Sequence, residues 1–216
     1  MLTVYFIRHA ESEANADHTL ICGRSDHMPL SPRGRAQTKL IAERLKREQY
    51  QFDHIYSSVS IRALETAQAS ARALSFPQAD IQQTDQLVEL SKGEWEGRVR
   101  SEMYTEAIQQ EVRDHYFDFA PPGGESQRAA EARMLNWMEA IKTKHLGKSQ
   151  RIAAFSHGFA IKTLTAALLD SDRSAVYRTI IHNTSITAFK WDGEKWMLER
   201  LNDHAHLAQT EFVPHY

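Results

Sequence analysis

An arginine and a histidine stand side by side, as Arg8 and His9, directly after the apolar run Val4-Tyr5-Phe6-Ile7. A short apolar run of this kind predicts a buried strand, and open α/β sheets place their ligand crevice at the carboxyl ends of strands. A guanidinium can hold an anion through two parallel hydrogen bonds, and a neutral imidazole can attack it. The pair therefore predicts chemistry on an anionic group.

Further polar residues follow later segments of the same kind. Arg62 lies at the start of a predicted helix, Glu89 follows a weaker apolar stretch, and His157 follows the run that ends at Phe155. Because strand ends and helix starts meet at one edge of an α/β sheet, and helix N-termini favour anions, we expect these residues to share a pocket. Four more residues are candidates for binding the anion: Asn15, Cys22, Gly23 and Gly158.

Predicted strands and helices alternate along the chain. Strands are expected at 4–7, 52–56, 81–88 and 151–155, helices at 32–48, 60–74, 125–145 and 159–169, and a final hairpin at 185–191 and 195–201. The second helix is expected to carry Ile61, Leu64 and Ala71 on one side. This order predicts an α/β fold of three layers, with a mostly parallel central sheet, helices on both faces and a C-terminal hairpin.

Residues 1–216 are expected to form one domain, because no linker, repeat or biased segment divides them. The stretch 91–122 shows no clear periodicity and is expected to be irregular. Its position before a long helix predicts that residues 92–122 form a cap over the pocket, where specificity is set.

Composition narrows the possible partners. Lys and Arg total 26 against 28 for Asp and Glu, a net charge of -2, so no general attraction to nucleic acid or membranes is expected. The chain has 1 cysteine, which excludes an internal disulfide framework. Because the sequence shows neither a signal peptide nor an apolar run of membrane-spanning length, we expect a cytoplasmic protein. The sequence leaves open a homo-oligomer.

Taken in order, these residues form a series of motifs that resembles the histidine phosphatase superfamily, which contains cofactor-dependent phosphoglycerate mutases and many small phosphatases. The series runs from about residue 3 to about residue 190 and consists of Arg8-His9-Ala10-Glu11 with Asn15, Gly23-Arg24-Ser25-Asp26, Ser57-Ser58 with Arg62-Ala63, Glu89 with Gly93 and Trp95-Glu96-Gly97, Gly123-Gly124-Glu125-Ser126, and Ser156-His157-Gly158. Ala10 stands where the family usually has glycine, a departure expected to restrict the backbone behind His9.

The resemblance implies a phosphoglycerate mutase-like fold and a reaction on small phosphorylated metabolites. His9 would carry the phosphoryl group, kept neutral by its cationic neighbours. Arg8, Arg62 and a protonated His157 would neutralise the phosphoryl oxygens, while Glu89 would protonate the leaving alcohol and then activate water. Neither a metal nor another cofactor is expected.

Three alternatives compete with a phosphatase. A 2,3-bisphosphoglycerate-dependent phosphoglycerate mutase is disfavoured because no Arg-Arg pair precedes Pro121-Pro122 and because Phe159 stands where mutases tend to have asparagine. A metal-dependent hydrolase using His9 and His157 as ligands lacks a dense ligand motif, and the His204/His206 pair is expected on the surface. A non-enzymatic binding module would require the loss of a core residue, and none is missing.

Overall fold

The computed structural model of the chain describes residues 1–145 and 147–208. Within these residues the strands form one six-stranded sheet. They are β1 (Leu2–Arg8), β2 (His54–Ser58), β3 (Gln82–Thr84), β4 (Gln150–Ser156), β5 (Ile186–Trp191) and β6 (Trp196–Asp203). The order across the sheet is β3-β2-β4-β1-β5-β6. Strands β1 to β4 pair in parallel, and β5 and β6 add an antiparallel hairpin.

The described residues form seven α-helices: α1 (Glu13–Ala16), α2 (Pro32–Arg47), α3 (Ile61–Ala73), α4 (Arg100–Met103), α5 (Glu106–His115), α6 (Gln127–His145) and α7 (Gly158–Leu168). The four longest, α2, α3, α6 and α7, pack on the two faces of this sheet. The α/β fold with a mostly parallel central sheet, helices on both faces and a final hairpin is therefore confirmed. Among the helices of the described residues, none is long and apolar enough to cross a membrane.

Alternation along the central strands separates the two layers of helices. On β1, Val4 and Phe6 pack into a core with residues of α6 and α7, whereas Tyr5 and Ile7 pack into a second core with residues of α2 and α3. Successive side chains of a strand point to opposite faces, so an almost continuous apolar run supplies both cores. This is why the Val4–Ile7 segment reads as a buried strand rather than as an amphipathic one.

The strand register brings the candidate residues to one edge. Arg8, at the end of β1, pairs with Ser156 at the end of β4, and Ser57 of β2 pairs with Phe155. Because these strands are parallel, the segments that follow them leave the sheet on the same side. The residues after β1, β2 and β4 therefore face a common crevice.

Two expectations about secondary structure were wrong. Strand β3 is limited to Gln82–Thr84 and is followed by a 3-10 turn at Asp85–Leu87, because the Thr84 hydroxyl accepts a hydrogen bond from the Gln86 N–H at 3.2 Å and turns the chain. Residues 91–122 are not irregular but contain α4 and α5. Helix α5 begins at the Thr105 cap and buries none of its residues, so it belongs to neither of the two cores of the sheet.

The helix after β2 also differs in one detail. Ile61 is 41% exposed, whereas Ala71 is fully buried and Leu64 packs at the edge of the second core. The side that carries these three residues is therefore not buried at its first turn, where Arg62 and Ala63 are buried instead. Burial of Arg62 itself thus sets the orientation of the first turn of α3.

An ion pair between Arg44 and Asp203 joins α2 to the end of β6. The Arg44 side chain, 5% exposed, donates two hydrogen bonds to the Asp203 carboxylate at 2.9 and 2.6 Å. It also donates from Nε to Glu48 at 2.9 Å, and the terminal nitrogen that binds Asp203 Oδ1 donates to His206 Nδ1 at 3.3 Å as well. The bonds from Arg44 lower the pKa of Asp203 to about 2.

Replacing Asp203 with Asn should lower the free energy of unfolding by about 2–3 kcal/mol, because it leaves the charge of a buried guanidinium without its main partner. The folded pKa of Asp203 lies below its unfolded value, so its contribution is present above about pH 4 and is lost as the pH falls toward 2. Urea unfolding of wild type and variant across that range measures the difference, which should shrink on acidification.

Glu48→Gln is the matched control. Its carboxylate touches the same guanidinium but is 36% exposed, so its loss should cost less than about 1 kcal/mol. Equal losses for the two variants would contradict the dominance of the pair between Arg44 and Asp203.

Candidate active site

A cleft of about 500 Å³ opens at the carboxyl edge of β1, β2 and β4. Of the residues predicted from the sequence, it is lined by Arg8, His9, Asn15, Cys22, Gly23, Arg62 and Glu89. Two predicted residues, His157 and Gly158, are not part of its lining. The structure thus brings the predicted set together but places these last two behind the wall of the cleft.

His9 is almost fully buried, at 2% exposure, directly after β1. Its Nδ1 lies 2.6 Å from the carbonyl oxygen of Ala10. A carbonyl can only accept, so Nδ1 carries the proton. On the other side of the ring, Nε2 accepts a hydrogen bond of 3.2 Å from Nε of Arg62. The ring is therefore held as the tautomer whose Nε2 has a lone pair beside a guanidinium.

The electrostatics of the cleft favour the neutral form of this ring. Burial is the largest cause that lowers the pKa of His9 well below 6.5, followed by Arg62 and then Arg8. The expectation that repulsion from cationic neighbours alone keeps His9 neutral is therefore incomplete, since loss of hydration contributes most. An imidazole with this environment is available as a base or nucleophile well into the acidic range.

His157 is fully buried, and its ring centroid lies 4.9 Å from that of His9. Its Nδ1 lies 3.1 Å from a terminal nitrogen of Arg62, which can only donate. The proton of His157 therefore sits on Nε2 and points to the Ser58 hydroxyl at 2.9 Å. Burial, with Arg62 next, lowers the pKa of His157 well below 6.5. This environment favours a neutral His157, because a cation there would be desolvated beside a guanidinium. A third, cationic donor from His157 therefore stays a prediction.

Arg62 is the residue that joins the two imidazoles. Besides its contacts to His9 and His157, it donates to the carbonyl oxygen of Ser25 at 2.9 Å. Burial lowers the pKa of Arg62, while Glu89 and Asp26 act in the opposite direction. One side chain thus orients both histidines and fixes the loop that contains Ser25.

Arg8 is fixed at one end of its guanidinium. It donates to the carbonyl oxygen of Ile181 at 2.6 Å, whereas its buried Nε has no hydrogen-bond partner among the described residues. A Cβ at residue 158 would lie 3.3 Å from that Nε, so Gly158 makes room for Arg8 rather than touching the cleft. The unpartnered donor is what a site for an anion requires.

Residues of α1 and of the loop that follows it contribute in different ways. Asn15 forms a capping box with Ser12, its Oδ1 accepting from the Ser12 N–H at 3.2 Å, which leaves its amide N–H groups for the cleft. The Cys22 thiol donates to the Ala14 carbonyl oxygen at 2.7 Å, and burial raises its pKa. Gly23 has φ of 56° and lies where a Cβ would clash with the Glu96 carboxylate.

Glu89 lies at the mouth of the cleft, against the start of α7. Its Oε1 accepts from the N–H groups of Ala160 at 3.0 Å and Leu90 at 2.9 Å. Its Oε2 accepts from the Phe159 N–H at 3.0 Å. These backbone donors fix the carboxylate at a helix N-terminus, and Oε2, with a single donor, keeps a lone pair that can carry a proton.

Several supporting residues were missed in the sequence. Asn183 donates from Nδ2 to the His9 carbonyl oxygen at 2.9 Å, and the Thr184 N–H donates to the Arg8 carbonyl oxygen at 3.0 Å. Glu96 accepts from the N–H groups of Arg24 and Ser25, both at 2.9 Å. Only Glu96 carried a signal, since it belongs to one of the recognised motifs, whereas an asparagine in a loop resembles any turn residue.

His206 is not the surface residue that was expected. It is partly buried, its Nε2 lies 2.8 Å from the Thr184 hydroxyl, and burial lowers its pKa to about 4. It therefore links Arg44 to the loop behind Arg8 and His9. No cluster of three or more His, Cys, Asp or Glu side chains able to hold a metal ion occurs in the parts of the chain that the structure describes.

Comparison with known proteins gives consistent relatives. A model of the histidine phosphatase superfamily (branch 1) matches residues 4–204. Phosphoglycerate mutase-like protein 4 of Arabidopsis thaliana is 32% identical over 214 residues, which cover 97% of this chain and 89% of that protein. Phosphoserine phosphatase 1 of Hydrogenobacter thermophilus is 29% identical over 222 residues, with 100% and 99% covered.

Solved structures agree with this fold. The crystal structure of a mutant phosphoserine phosphatase from Entamoeba histolytica in complex with phosphoserine superposes with a TM-score of 0.80 at 27% identity. The match covers 96% of this chain and 100% of that chain. The family resemblance inferred from the motifs is confirmed.

Neither His9 nor His157 should titrate near pH 6.5 in the wild-type protein, because burial and the two guanidinium groups hold both pKa values well below that value. In Arg62→Met both pKa values should rise, since a cation and a hydrogen-bond donor to each neutral ring are lost. Nuclear magnetic resonance titration of the imidazole carbon signals measures the shift.

Arg24→Met is the control for this prediction, because Arg24 also borders the site but donates to the Glu89 carbonyl oxygen and to Glu125 rather than to a histidine. It should leave both titrations unchanged. A His9 signal that titrates near pH 6.5 in the wild-type protein would contradict the neutral nucleophile.

Proposed function

Because the chain belongs to the histidine phosphatase superfamily (branch 1), we propose that it is a metal-independent phosphomonoesterase that acts on small phosphorylated metabolites through a phosphohistidine. The observation that supports this most strongly is the unprotonated Nε2 of His9, which accepts a hydrogen bond from Arg62 in a cleft lined by two guanidinium groups. A phosphoryl group needs both features, a nucleophile and positive charge around its oxygens.

In the first step, Nε2 of His9 attacks phosphorus and the bond from phosphorus to the ester oxygen breaks. The leaving oxygen takes a proton from Oε2 of Glu89, so an alcohol rather than an alkoxide departs. Charge spreads over the three non-bridging oxygens during the transfer. The unpartnered Nε of Arg8, the guanidinium of Arg62 and the amide of Asn15 are the donors available to them.

In the second step, water attacks the phosphohistidine, and the carboxylate of Glu89 accepts its proton. The bond between phosphorus and Nε2 breaks, phosphate leaves, and His9 returns to its neutral form. The hydrogen bond from Nδ1 to Ala10 persists through both steps, so the ring need not rotate. Arg62 must exchange its contact with Nε2 for one with a phosphoryl oxygen, while its contact with His157 keeps it in place.

Ala10 fits this scheme despite replacing the usual glycine. It is fully buried, and its N–H donates to the Thr66 hydroxyl at 3.1 Å. Its backbone does not adopt the left-handed conformation that favours glycine. The methyl group therefore adds no backbone strain next to the nucleophile.

Transfer to water rather than to a second phosphorylated alcohol is also part of this proposal. Besides Arg8 and Arg62, Lys92 is the only lysine or arginine that lines the cleft among the described residues. Phe159, at the position after His157-Gly158, adds an apolar wall. A mutase must hold a second charged phosphate group firmly, and this lining provides few donors for it.

We further propose that residues 1–216 act as one domain and that residues 92–122 cap the cleft, since Lys92 lines it and Glu96 binds the backbone of its loop. A cytoplasmic location is part of the proposal, supported by the presence of a single, unpaired cysteine. The same reaction is compatible with a monomer or a homo-oligomer.

His9→Ala should lower kcat by roughly 10³-fold or more, because it removes the nucleophile. Rapid quenching of the wild-type enzyme with a phosphorus-labelled monoester should trap protein-bound label that is labile in acid and stable in base. Circular dichroism of the variant should show an unchanged fold. Label that is stable in acid, or activity retained by the variant, would contradict the assignment.

Glu89→Gln should slow the hydrolysis of alkyl phosphates by roughly 10²–10⁴-fold, the usual size of general-acid catalysis. Aryl phosphates should lose much less, because their leaving groups need little protonation. The ratio of kcat/KM values for ethyl and para-nitrophenyl phosphate measures this in each enzyme, and equal losses would remove Glu89 from the role of acid.

A further inference from the structure

A second chamber adjoins the phosphate cleft. It shares Leu90, Lys92 and Phe159 with the lining of the cleft. Its remaining walls come mainly from the 92–122 segment and from the turn after α7. A phosphoryl group bound at His9 would direct its alcohol past these shared residues, so the chamber is the space that the alcohol would enter.

The walls of this chamber are rich in aromatic rings. Tyr104, Tyr116, Phe119, Phe159 and Tyr177 all line it. Tyr177 meets both Tyr116 and Phe159 with ring centroids 6.2 Å apart and steeply inclined planes. These are the edge-to-face arrangements in which aromatic rings attract each other.

The chamber is also supported from behind. Buried Trp95 lies 5.4 Å from the ring of Tyr104 and 5.8 Å from that of Phe119, measured between centroids. The motif residue Trp95 therefore holds two of the walls in position. Because these rings are already packed, a ligand ring would bind without having to order them.

One polar side chain of the chamber wall has an atom without a hydrogen-bond partner among the described residues. Gln127 lines the chamber and is 1% exposed. Its Nε2 donates to the carbonyl oxygen of Arg173 at 2.9 Å, which fixes the orientation of the amide. Its buried Oε1 has no hydrogen-bond partner among the residues that the structure describes. A buried acceptor of this kind costs free energy unless a bound molecule donates to it.

We propose that this chamber binds the alcohol part of the substrate, and that the preferred substrates are phosphomonoesters whose alcohol carries an aromatic ring with an O–H or N–H donor. The inference rests on the proposed phosphatase function and adds the class of substrate. The rings provide the stacking surface, Gln127 Oε1 accepts from the donor, and Lys92 lies at the junction beside the phosphoryl group.

Alkyl esters test this class without a change in leaving-group chemistry. We expect kcat/KM for phenethyl phosphate to exceed that for ethyl phosphate by roughly 10- to 100-fold, the gain from burying one aromatic ring. A para-hydroxyl on the ring should add about fivefold, the contribution of one hydrogen bond. Equal values for phenethyl and ethyl phosphate, or a higher value for phosphoserine than for phenethyl phosphate, would overturn the proposal.

Variants of residues that line the chamber test whether the preference for aromatic esters arises there. Tyr177 is 55% exposed, so Tyr177→Ala should fold, and it should lower the ratio of phenethyl to ethyl kcat/KM by about fivefold. Gln127→Met should remove the gain from the para-hydroxyl. Ile180→Ala, an exposed position on the same turn that does not line the chamber, is the matched control and should leave both ratios unchanged. Unchanged ratios in Tyr177→Ala and Gln127→Met would contradict the assignment.

Measurements of phosphonate binding distinguish a failure of the phosphatase function from a failure of the aromatic preference. If neither ester is hydrolysed, the phosphatase function fails, while tighter calorimetric binding of phenethyl phosphonate than of ethyl phosphonate would still support the chamber. If both esters are hydrolysed with equal efficiency and both phosphonates bind equally, the phosphatase stands and the aromatic preference falls.

Discussion

The position of one proton constrains the whole site. Nδ1 of His9 donates to the carbonyl oxygen of the next residue, Ala10, so the lone pair must reside on Nε2 and face the cleft. Burial and two guanidinium groups then keep the ring neutral although it lies among cations. The same guanidinium of Arg62 orients His157 through its Nδ1. A neutral nucleophile and the cationic groups that would bind an anion can therefore lie side by side in one cleft.

The rest of the fold holds that arrangement still. The end of β1 is fixed by β4 on one side and by the turn at 181–185 on the other, where backbone and side-chain groups bind Arg8 and His9 from behind. Thr184, in turn, contacts His206, which leads to the ion pair of Arg44 with Asp203. A short, continuous series of hydrogen bonds therefore connects the helix that contains Arg44 to the turn that binds Arg8 and His9.

Much of this arrangement could be predicted, because the apolar runs in the sequence show where the strands end. The apolar runs before Arg8 and His157 place both at the same sheet edge, whatever the details of the helices. The depth of His157 could not be predicted, since it depends on how Arg62 packs between the histidines. Helix α5 was also missed, because its 10 residues contain only two large apolar side chains, Ile108 and Val112, which is too short a pattern to distinguish from irregular chain. Asn183 was missed because its role comes from a contact across 174 positions.

The stereochemical course at phosphorus tests the central claim most directly. A phosphohistidine requires two in-line displacements, each of which inverts the configuration. Hydrolysis of an isotopically chiral phosphorothioate monoester in oxygen-labelled water should therefore proceed with overall retention if His9 is the nucleophile. Overall inversion would mean a single displacement by water, and it would contradict a covalent intermediate on this histidine.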